Sequence, residues 1–232
     1  MRVAVLSFSG NVGKSTVARH LLSPRMNDAT VIPVETINSD GSEGDEALKA
    51  KQFGELQETY AIMPNAVIDV GASNVEEFMV RMCQYKGSHR DFDFFVIPTV
   101  PKNKQLRDTI STVDALAEIG VPPQKIRLLF NMVEADDEPE QVFAGLFAYQ
   151  SAMKKCVINR QAILHVNELY SRLTGAEQNI NAIVTDPTDW MERITQTEDA
   201  NEKIQFMRCL SRQRLAEGVL DELDAAFKAL LS

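Results

Sequence analysis

The chain has 232 residues, of which 44% are apolar and 25% are charged, as in an ordinary globular protein with a sizeable core. Its formal net charge of −9 excludes the general excess of Lys and Arg that is typical of nucleic-acid-coating proteins, although a local basic patch is compatible with it. No apolar stretch is long enough to cross a bilayer, and the run at residues 1–8 is too short for a signal peptide, so we expect no transmembrane segment.

A pattern of strand, loop and helix occupies the start of the chain. Residues 2–8 form a short apolar run of strand type, and residues 16–22 open a helix. Between them stand Ser9, Gly10, Asn11, Val12, Gly13, Lys14, Ser15 and Thr16. A glycine-containing loop that ends in Gly-Lys-Ser between a strand and a helix is typical of a phosphate-binding loop. These eight residues therefore predict a site for a nucleoside triphosphate.

Each part of this loop has a physical role in binding phosphate. Gly10 and Gly13 allow the backbone to curl, so that successive N–H groups point at an anion, and the helix adds the positive end of its dipole. Lys14 supplies charge to the β- and γ-phosphates, and the Ser15 hydroxyl is the usual Mg²⁺ ligand. The usual pattern begins with Gly where this chain has Phe8. The flanking strand and helix still favour a phosphate site over a surface turn.

Strand and helix patterns alternate along the following chain. Pro33 lies in the second strand segment and favours an edge position, because proline has no N–H for a neighbouring strand. Segments of strand type are residues 30–37, 66–71, 93–101 and 126–131, and helical patterns occupy residues 45–58, 75–85, 104–119, 160–173 and 199–231. The alternation predicts an α/β fold with a mostly parallel sheet and helices on both faces. Ligands of such sheets bind at the carboxyl ends of the strands.

The domain organisation is predicted to be simple. We expect a single domain over residues 1–232, with a core of about residues 1–175 and a helical C-terminal extension of about residues 176–232. The sequence shows no repeat, no linker and no low-complexity segment. We therefore expect the helical tail to pack on the same domain.

In this order the elements resemble those of the ParA/MinD-like ATPases, the deviant phosphate-loop class of P-loop NTPases. Residues 9–16 lie where the family has Lys-Gly-Gly-x-Gly-Lys-Thr-Thr, and residues 34–38 lie at its second strand and switch I. The switch II strand, a Pro-Thr segment and a strand ending in an adenine-contacting Asn are similar to residues 67–71, 97–101 and 129–131. The resemblance covers about residues 1–175. The chain looks most similar to the StbB/TraL-type accessory proteins of conjugative plasmids.

This resemblance implies a set of ligand-binding residues and two cofactors, ATP and Mg²⁺. Asp69 would bind Mg²⁺ through water, together with Ser15, and Asn131 would contact the adenine. A carboxylate at the end of an apolar strand is costly unless a cation or hydrogen bonds satisfy it, which favours the metal role for Asp69. Asn131 also fits a cap or turn residue, and this alternative stays open.

Two departures from the family pattern concern catalysis. Ser9 stands where the family has a signature lysine that reaches across a dimer to the partner's nucleotide. A hydroxyl supplies no positive charge, so we expect any nucleotide-dependent homodimer to be weak. At switch I, Glu35 and Ile37 stand where the family has two aspartates, and Glu35 or Asp40 is the candidate to orient the attacking water. Lys14, Glu35 and Asp40 are thus the predicted catalytic residues of a weak ATPase.

The resemblance implies an ATP-binding switch protein that acts in plasmid stability, partitioning or conjugative DNA transfer. Its partners would be plasmid DNA-binding or transfer proteins. One alternative is a small-molecule P-loop enzyme, such as a kinase or a dethiobiotin-synthetase-like ligase, but the sequence shows no Arg-rich lid between the strands. A second alternative is a degenerate nucleotide-binding module without turnover, which the departures at Ser9 and Ile37 leave open.

The basic residues and the cysteines add two further expectations. Local basic clusters are typical of solvated helix faces, and weak non-specific DNA contact is the alternative. The three cysteines are far apart and lack metal-ligand spacing, so we expect reduced thiols in a cytoplasmic protein. The two clusters comprise Lys203, Arg208, Arg212 and Arg214, and Arg81, Lys86 and Arg90, and the cysteines are Cys83, Cys156 and Cys209.

Overall fold

The computed structural model describes residues 1–34, 45–173 and 179–232, with only the backbone considered for residues 45–51. In this part of the chain the strands are β1 (Arg2–Val5), β2 (Thr30–Val34), β3 (Ala66–Val70), β4 (Phe94–Thr99), β5 (Ile126–Val133) and β6 (Val157–His165). Three helical pieces, Lys14–Thr16, Val17–Leu22 and Ser23–Arg25, follow one another without a break and are together called α1. The remaining helices are α2 (Asp45–Ala61), α3 (Val75–Gln84), α4 (Asn103–Glu118), α5 (Pro139–Val142), α6 (Ala144–Met153), α7 (Glu168–Arg172), α8 (Ile180–Val184), α9 (Trp190–Gln196) and α10 (Ala200–Leu231).

The strands form one sheet in the order β2-β3-β1-β4-β5-β6, and every neighbouring pair is parallel. β1 lies in the middle, with Val5 opposite Asp69 of β3 on one side and Val96 of β4 on the other. The crossover helices cover both faces, as the alternation of elements predicts. The predicted α/β class, with a helical C-terminal segment, is confirmed.

Both faces of the sheet are buried, which is why its central strands are apolar almost throughout. Ala4 packs in one core cluster with Ile68 and Phe95, and the helices α2, α3, α4 and α6 contribute to the same cluster. Because successive side chains of a strand point to opposite faces, Val3 and Val5 lie on the other face, and both are fully buried. The loop after β1 therefore starts from a strand that is fixed on both sides.

β2 occupies one edge of the sheet, as Pro33 predicts. Among the described strands it pairs only with β3, where Pro33 lies opposite Asp69. A proline in a central strand would leave one neighbour without a hydrogen bond, whereas at an edge the missing N–H costs nothing in the ladder. The edge assignment is confirmed.

The prediction of a helix over residues 160–173 is wrong. Residues 157–165 form the edge strand β6, and only residues 168–172 are helical. A register shift lies between the pairs Leu128–Ile158 and Phe130–Ile163, where exposed residues interrupt the alternation of apolar side chains. After this irregularity Ala162 and Leu164 are buried with the period of two that is typical of a strand. The irregularity hides that period in the sequence.

Contacts divide the chain into two compact units, residues 1–166 with 226–232, and residues 167–225. The second unit is helical, and its helices begin after residues whose side chains accept hydrogen bonds from helix N–H groups. Such caps satisfy donors that have no partner within the helix, so they fix where short helices start. The caps are Asn167, Asn179, Asp189 and Asp199, with distances of 2.9, 2.8, 2.9 and 2.6 Å to the N–H groups of Leu169, Asn181, Glu192 and Asn201.

No helix in the described ranges is long and apolar enough to cross a membrane. The longest, α10, has 32 residues and carries charged side chains along its length.

Candidate phosphate-binding site

The candidate site lies at the carboxyl edge of the sheet, where β1, β3 and β5 end. Ser9 lies in the segment between β1 and α1, Lys14 is the first residue of α1, and both are buried. Asp69 of β3 and Asn131 of β5 are also buried beside them. Buried polar groups need partners, so their convergence at one edge identifies a polar centre within an apolar sheet. The structure thus brings together four residues that the sequence predicts for the site.

The curl of the loop is made at Asn11 and Gly13. Their φ angles are 55° and 81°, in the left-handed region that Gly and Asn adopt most easily. Gly10, which was also expected to produce the curl, has no positive φ. A Cβ built at Gly10 would meet nothing within 4 Å, so this position is open to an approaching ligand rather than needed for the turn. From Gly13 onward the chain enters α1, whose first bond joins Val17 N to Gly13 O at 2.9 Å.

Lys14 is folded back under the loop and is only 8% exposed. Its Nζ donates to the carbonyl oxygen of Ser9 at 2.8 Å and lies 3.5 Å from that of Ser7. Burial lowers the pKa of Lys14, and the negative charge of Asp69 opposes this change. The loop therefore holds a poorly solvated ammonium group that gains stabilisation from any anion placed beside it.

We expect the affinity for ATP to fall as pH rises through the lowered pKa of Lys14, hence below the ordinary lysine value of 10.5. Deprotonation removes the charge that faces the phosphates. The same lowered pKa means that burial of the ammonium destabilises the nucleotide-free fold at pH values below it. This cost decreases progressively as pH rises from the lowered pKa to the ordinary value of 10.5, at which the lysine of the unfolded chain also loses its proton. Binding titrations from about pH 7 to pH 10 measure the effect.

The control for this pH series is Lys14→Arg, because a guanidinium group stays charged over the whole range. Residual binding by Lys14→Arg should not fall with pH. An ATP affinity of the parent protein that stays constant or rises over the range would show that Lys14 is not the group that titrates.

Asp69 and Ser15 provide the oxygen ligands that Mg²⁺ prefers. Asp69 is 4% exposed at the end of β3, and its charge acts on Lys14. Ser15 is exposed in the first turn of α1, which packs against β3. A buried carboxylate, a nearby cation and an exposed hydroxyl fit a metal held jointly by protein and phosphate oxygens. No group of three or more His, Cys, Asp or Glu in the described residues could hold a metal alone.

Asn131 braces the phosphate-binding loop. Its Nδ2 donates to the carbonyl oxygen of Val12 at 2.8 Å, across 119 residues of sequence. A Cβ at Gly13 would collide with the same amide nitrogen, so glycine is required there for space as well as for its φ angle. The contact of Asn131 with adenine stays a prediction beside this structural role.

Replacing Asn131 by Ala is expected to lower the free energy of unfolding by about 1–3 kcal/mol, because the buried Val12 carbonyl loses its donor. Urea denaturation measures this loss. The base contact is tested separately in the parent protein, where an amide that pairs with adenine predicts tighter binding of ATP than of GTP. Equal affinities in competition binding would leave Asn131 with the bracing role alone.

The loop accommodates both departures from the usual motif. Phe8 packs against the core cluster, and its N–H donates to Thr112 Oγ1 at 3.2 Å. The Ser9 hydroxyl donates to Asp108 Oδ2 of α4 at 2.5 Å. Asp108 was not predicted from the sequence. No sequence signal could have revealed it, because 99 residues separate it from Ser9.

A second unpredicted residue is Asn74, which follows β3 and is 1% exposed. Its Nδ2 donates to the carbonyl oxygen of Val34, the last residue of β2, at 2.8 Å. The Gly71 N–H approaches the same carbonyl at 3.3 Å. Oδ1 of Asn74 is buried without a hydrogen-bond partner among the described residues. These hydrogen bonds thus connect the carboxyl end of β2 with the residues that follow β3, the strand that carries Asp69.

Other predicted residues have different locations. Glu35 and Asp40 lie outside the described residues. Arg81, placed in a basic surface cluster by its sequence spacing, is 4% exposed and bonds Glu77 at 2.6 Å and Gln84 at 2.7 Å, so it is unavailable to DNA. In the second unit a cavity of about 590 Å³ is lined by Arg172, Arg208, Cys209 and Arg212.

Comparison with solved structures identifies proteins of the same fold. Apo McdA of Cyanothece superposes with a TM-score of 0.57 at 14% identity, covering 99% of this chain and 97% of that chain. The MinD cell division protein of Aquifex aeolicus gives a TM-score of 0.50 at 14% identity, covering 90% and 96%. No family model and no curated protein sequence matches the chain. At this identity the similarity shows the ParA/MinD-like fold alone.

Proposed function

We propose that the chain is an ATP-binding, ParA-like switch protein that acts in plasmid stability, partitioning or conjugative DNA transfer. The observation that carries the proposal is the buried ammonium of Lys14, the first residue of α1, which lies 2.8 Å from the carbonyl oxygen of Ser9 in the preceding loop. A buried cation under a curled loop at a helix start is suited to phosphate. The link to plasmids rests on the sequence resemblance, and a cytoplasmic location is part of the same proposal.

Binding would use the backbone and three side chains. The N–H groups of residues 10–16 and the start of α1 would hold the phosphate oxygens, and Lys14 would neutralise part of their charge. Ser15 would ligate Mg²⁺ directly and Asp69 would hold it through water. Bound there, Mg²⁺ supplies charge neutralisation for the β- and γ-phosphates.

Hydrolysis is proposed to be weak. Phosphoryl transfer to water needs positioned cations and an oriented water molecule. Lys14 supplies one cation, and Glu35 or Asp40 is proposed to orient the water. At the start of the loop, however, Ser9 bonds a carboxylate rather than offering a positive charge. The site is therefore better equipped for binding ATP than for turning it over.

The switch would act through partner affinity. Nucleotide would act on the predicted switch segments that follow Val34 and Asp69, and the nucleotide-bound form would bind plasmid DNA-binding or transfer proteins. Arg208 and Arg212, which line one cavity in the second unit, are candidates for weak non-specific DNA contact. Any nucleotide-dependent homodimer is expected to be weak.

The test is steady-state ATP turnover with Mg²⁺, measured alone and with plasmid DNA. We expect turnover below the range of typical enzymes, removed by EDTA and raised by DNA or a partner extract fraction. A parent protein that binds neither ATP nor ADP in calorimetry would overturn the proposal.

A second function has one observation in its favour. The Ser9–Asp108 hydrogen bond places a negative group at the loop, which suits a nucleotide-binding module without turnover. The two proposals differ in one measurement: the module would bind ATP with Mg²⁺ but release no phosphate above background with or without DNA.

A further inference from the structure

Helix α4 is tied to the phosphate-binding loop at two successive residues of the loop. The Ser9 hydroxyl donates to Asp108 Oδ2 at 2.5 Å, and the Phe8 N–H donates to Thr112 Oγ1 at 3.2 Å. Thr112 Oγ1 in turn donates to the Asp108 carbonyl oxygen at 2.6 Å, one helical turn away. These contacts fix the Asp108 carboxylate beside the residue whose carbonyl accepts from the Lys14 ammonium.

Lys104 brings a positive charge to the same carboxylate. Its Nζ lies 3.6 Å from Asp108 Oδ2, the oxygen that accepts from Ser9. The Lys104 side chain is 74% exposed and that of Asp108 is 26% exposed. The ammonium group therefore lies beside the loop on its solvent side, where neighbouring side chains do not enclose it.

An exposed pair at this helical spacing contributes little to stability, because solvent screens it and both side chains lose conformational freedom. Its charges matter more to an anion that arrives at the loop. A triphosphate carries more negative charge than a diphosphate, so its binding is affected more strongly by each nearby charge. The Asp108 carboxylate opposes this binding and the Lys104 ammonium favours it.

We propose that Lys104 and Asp108 form a charge pair that sets the preference of the phosphate-binding loop for nucleoside triphosphate over diphosphate. In the free protein Lys104 faces Asp108. When triphosphate binds, Lys104 turns to the terminal phosphate, and Asp108 keeps its hydrogen bond with Ser9. This proposal rests on the proposed nucleotide-binding function and assigns a specificity-determining role to two residues of α4.

The experiment measures affinities for ADP and for a non-hydrolysable ATP analogue by calorimetry with Mg²⁺, in the full chain. The variants are Lys104→Gln, Asp108→Asn and the double variant, with Arg107→Gln as the matched control from the exposed surface of the same helix. Charges about 6 Å apart in a partly solvated site alter affinity by about three- to tenfold. We expect Lys104→Gln to lower the affinity for the ATP analogue by that factor and the affinity for ADP by less than about twofold.

The remaining variants test whether each charge strengthens or weakens nucleotide binding. Asp108→Asn should raise the affinity for the ATP analogue more than the affinity for ADP. The affinities of the double variant should lie between those of the single variants, and those of Arg107→Gln should equal those of the parent protein. These differences should shrink in high salt, whereas a purely structural effect would persist. Thermal unfolding of Asp108→Asn reports separately on any loss of the contact with Ser9.

The outcomes distinguish the two proposals. A parent protein that binds both nucleotides, with Lys104→Gln and Arg107→Gln equal in their ATP to ADP ratio, overturns the charge pair alone. Weaker ATP binding by a folded Asp108→Asn also overturns it, because the carboxylate would then support the loop rather than oppose phosphate. A parent protein without affinity for either nucleotide overturns both. Lys104→Gln changes an exposed side chain, so its result does not depend on refolding of the loop.

Discussion

Replacing Lys14 by Ala is expected to abolish measurable ATP binding. The change removes a charge that is held beneath the loop by the carbonyl of Ser9 and lies near Asp69. Hydrogen bonds to charged groups contribute about 1.5–3 kcal/mol each, and Lys14 is expected to meet more than one phosphate oxygen. The affinity should therefore fall by more than about a hundredfold. Calorimetry or titration with a fluorescent nucleotide measures the change.

The matched control is Lys86→Ala, which removes one positive charge from an exposed position outside the loop. Lys86→Ala should bind ATP like the parent protein. Circular dichroism and thermal unfolding establish that Lys14→Ala is folded. Unchanged affinity in folded Lys14→Ala would remove the assignment of the site.

The second large effect concerns self-association. With ATP and Mg²⁺ we expect the parent protein to stay mainly monomeric, because two nucleotides facing each other across a dimer need compensating cations and Ser9 supplies none. At short range in a poorly solvated site each such cation contributes on the order of several kcal/mol. Ser9→Lys should strengthen ATP-dependent association. A lysine at position 9 would also reach the Asp108 carboxylate, so the larger gain is expected in Ser9→Lys combined with Asp108→Asn.

Size-exclusion chromatography with light scattering, run with ADP and with a non-hydrolysable ATP analogue, tests both halves of this prediction. The ADP runs are the control, since association should require the triphosphate. A tight ATP-dependent dimer of the parent protein would show that a cation other than one at position 9 bridges the interface. Lys102 and Lys104 follow the Pro98–Thr99 segment, and the contact of Lys104 with Asp108 makes it the first to mutate.

Local patterns predicted most of the sheet. β1, β3, β4 and β5 are apolar because both sides of each strand are covered, and such runs stand out between helical patterns. Pro33 alone predicted the edge position of β2, because proline has no N–H to donate to a second neighbouring strand. β6 was missed because a register shift breaks its period of two. Helix α6 was missed as well, since its residues lack a clear polar face and only Leu146 is buried.

The candidate site was predictable where it depends on consecutive residues. Lys14 and Ser15 follow from one motif, and Asp69 follows from a carboxylate at the end of an apolar strand. Contacts between distant segments were not predictable. Asp108 reaches Ser9 across 99 residues, and Asn74 reaches Val34 across 40, and neither pair leaves a periodic signal. The hydrogen bond of Asn131 to Val12 also joins distant segments, so it was not predictable from the sequence either.

The Val34 carbonyl accepts hydrogen bonds from the Asn74 side chain and the Gly71 N–H, so the carboxyl ends of β2 and β3 are linked to each other. The carbonyl group of Val34 cannot separate from Gly71 and Asn74 unless both of these hydrogen bonds break. Asp69 lies only two residues before Gly71 along a paired strand, with no flexible segment between them. We therefore expect a displacement of β3 at Asp69 to move the carboxyl end of β2 at Val34 with it, because strand pairing and both hydrogen bonds join the two ends.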